Sequence, residues 1–230
     1  MGTMTTTPLP PTATTTGATA RIAQIVRETE AEGPGRRYAV WFQGCPLRCP
    51  GCCNPEFLKF GGGTETTAAE IVADFRKADV EGLSLLGGEP FAHADAGVVL
   101  ARAAWEQGCS VMIYSGYTLA ELRANPDPAV QELLGLTDVL VDGPYVREQP
   151  ETKRRWVGSR NQQVHLFTEF YADDDPRWTL PNTLEIRLHD GELSINGFPA
   201  RAASSLWKGW RRKPTRASLA LPLVSDRSPS

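Results

Sequence analysis

The sequence predicts an α/β fold in which parallel strands alternate with helices. Short apolar runs typical of buried strands alternate with segments whose apolar residues have helical spacing. Glycine-containing turns follow several of the strands. We count four or five strand–helix units, which is fewer than the eight of a closed barrel.

The first predicted elements surround a group of cysteines. A β-like stretch at 22–26 opens the folded part, and a strand at 37–43 leads into the cysteines. Residues 67–70, Thr-Ala-Ala-Glu, form a capping box that predicts the start of a helix. The next strand, 82–86, ends at the Gly-Gly-Glu-Pro segment 87–90, hereafter the Gly-Gly segment.

The second half of the chain continues the alternation. The predicted elements are a helix at 95–107, a strand at 110–114, a helix from Thr118, a helix at 129–134, a strand at 139–141 and a strand at 163–167. Residues 184–188 and 193–196 flank an Asp-Gly pair, which predicts a C-terminal β-hairpin extension.

We expect one folded domain between two tails. Residues 1–20 are rich in Thr and Pro and bury too little apolar surface to order, so they are expected to be disordered. The domain spans 21–200, with the hairpin near 183–197. Residues 201–230 form a basic, tryptophan-containing tail, for which packing against the domain is the simplest interpretation.

Composition excludes several classes of function. A net charge of −3 provides no general attraction to nucleic acid or to anionic membranes. No run approaches the roughly 18 apolar residues that span a bilayer, and no secretory signal is recognisable. We therefore expect a cytoplasmic protein with no membrane or nucleic-acid partner.

Four of the five cysteines lie within residues 45–53, a layout that favours metal binding over strained disulfides. Cys45, Cys49 and Cys52 can ligate three irons of a [4Fe-4S] cluster and leave the fourth iron open. A structural zinc site or unligated thiols are the alternatives, but zinc normally takes four protein ligands. The remaining Cys53 and Cys109 are too few for a second four-cysteine cluster. We call residues 45–52 the cysteine loop.

The candidate site lies where several strands end, since ligands of parallel sheets bind beyond the carboxyl ends of the strands. The cysteine loop, the Gly-Gly segment, Ser115-Gly116 and Asp142-Gly143 all fall there. Small residues at such a position let a ligand approach the backbone carbonyls closely, and Glu89 adds a negative charge. For each of these segments the alternative is an ordinary turn or cap.

The cysteine spacing, followed by the Gly-Gly segment, resembles the radical S-adenosylmethionine (SAM) enzymes. Gly-Pro-Gly-Arg at 33–36, Val-Leu-Val-Asp-Gly at 139–143 and Trp-x-Gly-Ser-x-Asn-Gln at 156–162 extend the similarity from about Arg21 to Leu166. Together they resemble the activating enzymes of anaerobic ribonucleotide reductase. Cys53 departs from that pattern, as do the hairpin and tail that follow.

The resemblance implies an incomplete parallel (βα) barrel of the radical SAM type. The open iron would bind SAM, and one electron from a flavodoxin- or ferredoxin-type reductant would release a 5′-deoxyadenosyl radical. That radical would take a hydrogen atom from a glycine of a large glycyl radical enzyme partner. The residues implied to contact SAM are Gly87, Gly88, Glu89, Pro90, Ser115, Gly116 and Asp142.

Two other functions fit parts of the sequence. The first is a radical SAM tailoring or modified-base enzyme, in which the hairpin and tail close over a small substrate. The second is a non-catalytic iron–sulfur electron carrier. The Gly-Gly segment argues against a carrier, which has no need to bind a methionyl group.

Overall fold

A computed structural model of the protein describes residues 17–189 and 192–197. The strands of its main sheet are β1 Thr19–Thr29, β2 Arg37–Phe42, β3 Thr64–Thr67, β4 Gly82–Gly87, β5 Ser110–Tyr114, β6 Val139–Asp142 and β7 Gln163–Leu166. Within the described residues they form one seven-stranded sheet in the order β3-β1-β2-β4-β5-β6-β7. The predicted α/β class with a parallel-rich sheet is confirmed.

The four central strands β2, β4, β5 and β6 are parallel neighbours, and the edge strands are antiparallel. Parallel neighbours need a long crossover, usually a helix, whereas a short connection returns the chain antiparallel. Residues 30–36 are such a short connection between β1 and β2. Residues 143–162 contain no helix, and β7 accordingly returns antiparallel to β6. The expectation of parallel units throughout was therefore wrong at the edges.

The helices are α1 Ala68–Phe75, α2 Ala94–Glu106, α3 Leu119–Ala124 and α4 Pro128–Gly135. The capping box at the start of α1 is confirmed: the Thr67 hydroxyl accepts the Glu70 N–H, and the Glu70 carboxylate accepts the Thr67 N–H. Thr118 and Glu121 form a second capping box at the start of α3. Among the described residues, no helix has the length and apolar character needed to cross a membrane.

The two faces of the sheet carry separate cores, because side chains alternate along each strand. Tyr38, Val40 and Phe42 of β2 belong to the core that includes the helices. Ala39 and Trp41 belong to a smaller cluster on the opposite face. The carboxyl ends of the four central parallel strands lie together at one end of the sheet, beyond both cores.

Two further strands, β8 Leu184–His189 and β9 Glu192–Gly197, pair antiparallel from Leu184 with Gly197 to His189 with Glu192. The Asn196 amide donates to the Thr29 hydroxyl over 2.8 Å, which connects β9 to the end of β1. The predicted turn at 190–191 lies outside the described residues.

The predicted tails fall largely outside the described residues. Residues 1–16 and 201–230 are not among them. At the N-terminal side, β1 begins at Thr19, so its first two residues lie within the segment that composition marked as a tail.

Candidate functional site

The cysteine loop begins directly after β2 and is held by backbone hydrogen bonds. The Gly44 N–H donates to the Phe57 carbonyl over 2.8 Å, and the Cys45 N–H donates to the Leu58 carbonyl over 3.2 Å. The loop turns back at Gly51, whose φ of 74° suits a residue without a Cβ. Cys45 is buried, while Cys49 and Cys52 are half-buried.

Backbone N–H groups point at the sulfurs of this loop. Burial raises the pKa of the Cys45 thiol, and N–H donation from Arg48 and Leu47 opposes that rise. The Cys52 sulfur accepts the Asn54 N–H over 3.4 Å. Hydrogen bonds of this kind stabilise thiolates and tune iron–sulfur clusters. The donor chemistry of the loop therefore fits a cluster held by three thiolates.

Among the described residues, no three side chains of His, Cys, Asp or Glu are grouped closely enough to hold a single metal ion. A four-iron cluster makes a different demand, because each of its cysteine ligands binds a separate iron. Its ligands are accordingly spread more widely than those of one ion.

The Gly-Gly segment is joined through the backbone to residues 42 and 44, directly before the cysteine loop. The Gly88 N–H donates to the Phe42 carbonyl over 2.8 Å, and the Glu89 N–H donates to the Gly44 carbonyl over 3.0 Å. A Cβ at position 88 would overlap the Gly44 carbonyl oxygen and lie 2.7 Å from its carbon. Only glycine allows this approach, so the sequence places Gly88 where two strand ends meet.

The Glu89 side chain is 1% exposed and lies at the centre of the site. Its carboxylate accepts the Phe91 N–H over 3.1 Å, the Ser115 hydroxyl over 3.0 Å and the Gly116 N–H over 2.8 Å. Burial raises its pKa to about 7, against the lowering effect of these three bonds. The carboxylate thus joins the end of β4 to the end of β5.

The cysteine loop also contacts the end of β5. A Cβ at position 116 would lie 2.5 Å from a methyl carbon of Leu47 in the cysteine loop. The structure therefore brings together the cysteine loop, the Gly-Gly segment and Ser115-Gly116, which sequence reasoning assigned to one site.

Asp142 takes a different set of contacts. It is 6% exposed, and its carboxylate accepts the Leu119 N–H over 2.5 Å and the Gln163 N–H over 3.3 Å. The His165 Nε2 atom lies 3.3 Å from the same carboxylate. Among the described residues, none of these contacts of Asp142 involves Glu89.

An open pocket of about 320 Å³ lies beside Asp142. Its lining residues come from the start of α3, the end of β6 and the start of β7: Thr118, Leu119, Ala120, Asp142, Gly143, Pro144, Asn161, Gln163 and His165. None of the cysteines is among them, so this pocket is distinct from the cysteine loop.

Sequence reasoning missed two residues that support the cysteine loop. Gln43 is buried, and its amide donates to the Glu56 carbonyl over 3.1 Å and to the Lys59 carbonyl over 2.6 Å. His93 stacks on Phe42 with ring centroids 5.1 Å apart. Their positions in the sequence could have indicated this role, because Gln43 ends the predicted strand before the cysteine loop and His93 follows the Gly-Gly segment.

Comparisons with known proteins identify the family. A family model described as a 4Fe-4S single cluster domain matches residues 31–165, more than half of the chain. The anaerobic ribonucleoside-triphosphate reductase-activating protein of Vibrio cholerae is 37% identical over 145 residues, covering 59% of this chain and 91% of the relative. This chain belongs to that family of activating proteins.

Other members of the activating-protein family give similar coverage. The protein of the same name from Pasteurella multocida is 32% identical over 147 residues, covering 60% of this chain and 92% of the relative. The protein of the same name from Enterobacteria phage T4 is 28% identical over 144 residues, covering 60% of this chain and 88% of the relative. The resemblance inferred from the motifs is confirmed, and the single-cluster domain agrees with the expectation of one [4Fe-4S] cluster.

The Trp-x-Gly-Ser-x-Asn-Gln motif at 156–162 folds against the end of β6. This motif resembles one in the activating enzymes. The Gln162 side-chain oxygen accepts the N–H groups of Gly158 and Ser159, each over 3.0 Å. Its amide donates to the Gly143 carbonyl over 2.9 Å. The motif therefore shapes the loop beside the strand ends. Strands β8 and β9 lie beyond the matched domain.

Proposed function

We propose that this chain is a radical SAM enzyme that activates an anaerobic ribonucleotide reductase by forming a glycyl radical in it. The observation that carries the proposal is the backbone bond from Glu89 of the Gly-Gly segment to Gly44, the residue directly before the cysteine loop, in a chain of this family. A cluster-binding loop and a methionyl-binding segment must adjoin if both bind SAM.

The chain's own residues would divide the work as follows. Cys45, Cys49 and Cys52 would hold the cluster, with backbone N–H groups directed at the sulfurs of Cys45 and Cys52. Carbonyl groups of the Gly-Gly segment would accept the methionyl ammonium group. When bound, the cluster and SAM supply the electron and the hydrogen-abstracting chemistry, which no side chain provides.

Glu89 is assigned a positioning role, because its carboxylate is engaged by Phe91, Ser115 and Gly116. These bonds hold the Gly-Gly segment and Ser115-Gly116 at a fixed separation. Asp142 is assigned to fixing the start of α3 beside β6, since its carboxylate is engaged by Leu119 and Gln163. The SAM contact expected for Asp142 from the resemblance stays a prediction beside this role.

The parallel strands β2, β4, β5 and β6 would form the wall of an incomplete barrel, with the β8–β9 hairpin as an extension. An open barrel suits a large protein substrate, which can itself cover the site and exclude water. The partner would be the reductase, and the electron would come from a flavodoxin- or ferredoxin-type protein.

The test is anaerobic reconstitution with iron and sulfide, followed by SAM and dithionite. We expect 5′-deoxyadenosine from the wild type, none from Cys49→Ala, and a glycyl radical by electron paramagnetic resonance when the reductase is added. Product without a radical in the reductase would instead favour an enzyme acting on a small molecule. A verified cluster that never cleaves SAM would favour an electron carrier.

A further inference from the structure

The segment that follows β6 contains a turn that is held in place by hydrogen bonds within it and to residues 159 and 160. The Gln149 N–H donates to the Val146 carbonyl over 3.0 Å, which closes a tight turn with Arg147 near its tip. The Val146 N–H donates to the Ser159 hydroxyl over 3.1 Å, and the Arg160 N–H donates to the Gln149 carbonyl over 2.7 Å. The backbone position of Arg147 is therefore fixed from both sides.

The side chain of Arg147 lies over Gly51. A Cβ at position 51 would stand 2.7 Å from the Arg147 Nε atom and 3.1 Å from the guanidinium carbon. Gly51 directly precedes Cys52 and follows Cys49 by two residues. The guanidinium thus packs on the backbone that connects two of the proposed cluster ligands.

The neighbouring side chain supports this placement. Burial raises the pKa of Tyr145, and the thiolates of Cys53 and Cys52 raise it further while Arg147 lowers it. Tyr145 is therefore close enough to feel the charge of both the cysteines and Arg147. Tyr145 and Arg147 of this turn therefore both lie near the end of the cysteine loop.

Arg147 belongs to none of the ion pairs found among the described residues, whereas nearby Arg154 is paired with Glu151 over 2.6 Å. The carboxylate of Glu148, the next residue, also acts on Tyr145 and raises its pKa. Arginine side chains are the permanent cations of proteins. A permanent positive charge thus stands beside a loop that would carry three thiolates.

We propose that Arg147 stabilises the reduced form of the cluster held by the cysteine loop and so raises its reduction potential. Reduction adds one electron, supplied by the reductant, and with it one negative charge, without any change in protonation or covalent bonding. A cation beside the loop favours the more negative state. The inference rests on the proposed function only in requiring a cluster on Cys45, Cys49 and Cys52.

The experiment is a potentiometric titration of the reconstituted full-length protein with redox dyes, without SAM or reductase. Arg147→Gln removes the charge, Arg147→Lys retains it, and Arg123→Gln removes an exposed charge from α3 as a matched control. We expect Arg147→Gln to lower the midpoint potential by up to about 59 mV, a tenfold change in the one-electron equilibrium. The lysine variant and the control should stay near the wild type.

Salt provides a second readout of the same charge. Because Arg147 is exposed, its effect should shrink when the Debye length falls from about 10 Å at 0.1 M salt to about 3 Å at 1 M. The difference between wild type and Arg147→Gln should narrow accordingly. A structural role in packing the loop would not respond to salt in this way.

Three results would overturn the inference. An unchanged potential in Arg147→Gln with full iron content would remove the electrostatic role. Loss of iron in that variant would make Arg147 a structural support of the loop. An unchanged potential with slower reduction by a protein donor would assign Arg147 to docking. By contrast, a shifted potential in a protein that does not cleave SAM would leave this inference intact and would count against the proposed function.

Discussion

Replacing Gly88 by alanine tests the contact between the Gly-Gly segment and Gly44, directly before the cysteine loop. The new methyl group would overlap the Gly44 carbonyl oxygen and stand 2.7 Å from its carbon, well inside the ordinary contact range of 3.4–4 Å. The obstacle is backbone, so no side chain can rotate away. One of the two segments must move.

The cost follows from two terms. Overpacking of this kind costs about 1–3 kcal/mol. Separating the segments also lengthens the bond from the Glu89 N–H to the Gly44 carbonyl, worth about 1 kcal/mol. We expect the free energy of unfolding to fall by about 3 kcal/mol, which lowers Tm by roughly 6–12 °C for a domain of this size.

The assay is thermal unfolding by circular dichroism, together with calorimetric SAM binding to the reconstituted protein. We expect SAM affinity to fall at least about tenfold, because displacement of the carbonyl groups that accept the ammonium costs more than about 1.4 kcal/mol. Gly135→Ala is the matched control: nothing lies within 4 Å of its new Cβ, and it ends α4 without a positive φ. That variant should be neutral or slightly stabilised. If Gly88→Ala unfolds and binds SAM like the wild type, the proposed contact between the segments is wrong.

Three further predictions concern charge and ligation. Burial raises the pKa of Glu32 from 4.5 to about 8, so the stability contributed by its neutral form is complete below pH 4.5 and is lost as pH rises through 8. Between these pH values, the free energy of unfolding of the wild type should therefore fall by up to about 5 kcal/mol more than that of Glu32→Gln, as measured by urea titration. Parallel plots of unfolding free energy against pH for the two proteins would contradict this. Glu89→Gln places an amide NH₂ group opposite the donors whose hydrogen bonds the carboxylate accepts in the wild type. SAM affinity, measured by calorimetry, should therefore fall roughly tenfold while the iron content stays constant. Unchanged affinity would remove Glu89 from the positioning role. Cys53→Ala should retain a full cluster by iron analysis, and loss of iron would make Cys53 a ligand.

Much of the site could be predicted because its parts are local. The three thiols, the Gly-Gly segment and the capping box of α1 each lie within a few residues of sequence. Their convergence followed from the rule that ligands bind at the carboxyl ends of parallel strands. The antiparallel edges escaped prediction, because they depend on whether a helix lies in the connection between two strands.

Long-range partners explain the other differences. Arg37 is charged and begins a strand, yet it is fully buried and donates to the hydroxyls of Ser84 and Ser110 and to that of Tyr171, which is 134 residues away in the chain. No local pattern indicates such an environment. The contact of Asp142 with the start of α3 is easier to foresee. Alternation along β6 places Asp142 on the face opposite to Val141, and the cluster of Val141 contains no helix residue.

The contiguity of the cysteine loop has a consequence for how the protein survives oxygen. All three proposed ligands lie within eight consecutive residues, outside the strands and helices that enclose both cores. Destruction of the cluster by oxygen would therefore free a loop in which Cys45 is buried and Cys49 and Cys52 are half-buried, while the strands and helices keep their own contacts, so the sheet would have no reason to open. Damaged molecules would persist as folded protein that needs only iron, sulfide and a reducing environment. Recovery after a return to anaerobic conditions would then be limited by cluster delivery and would not require new synthesis.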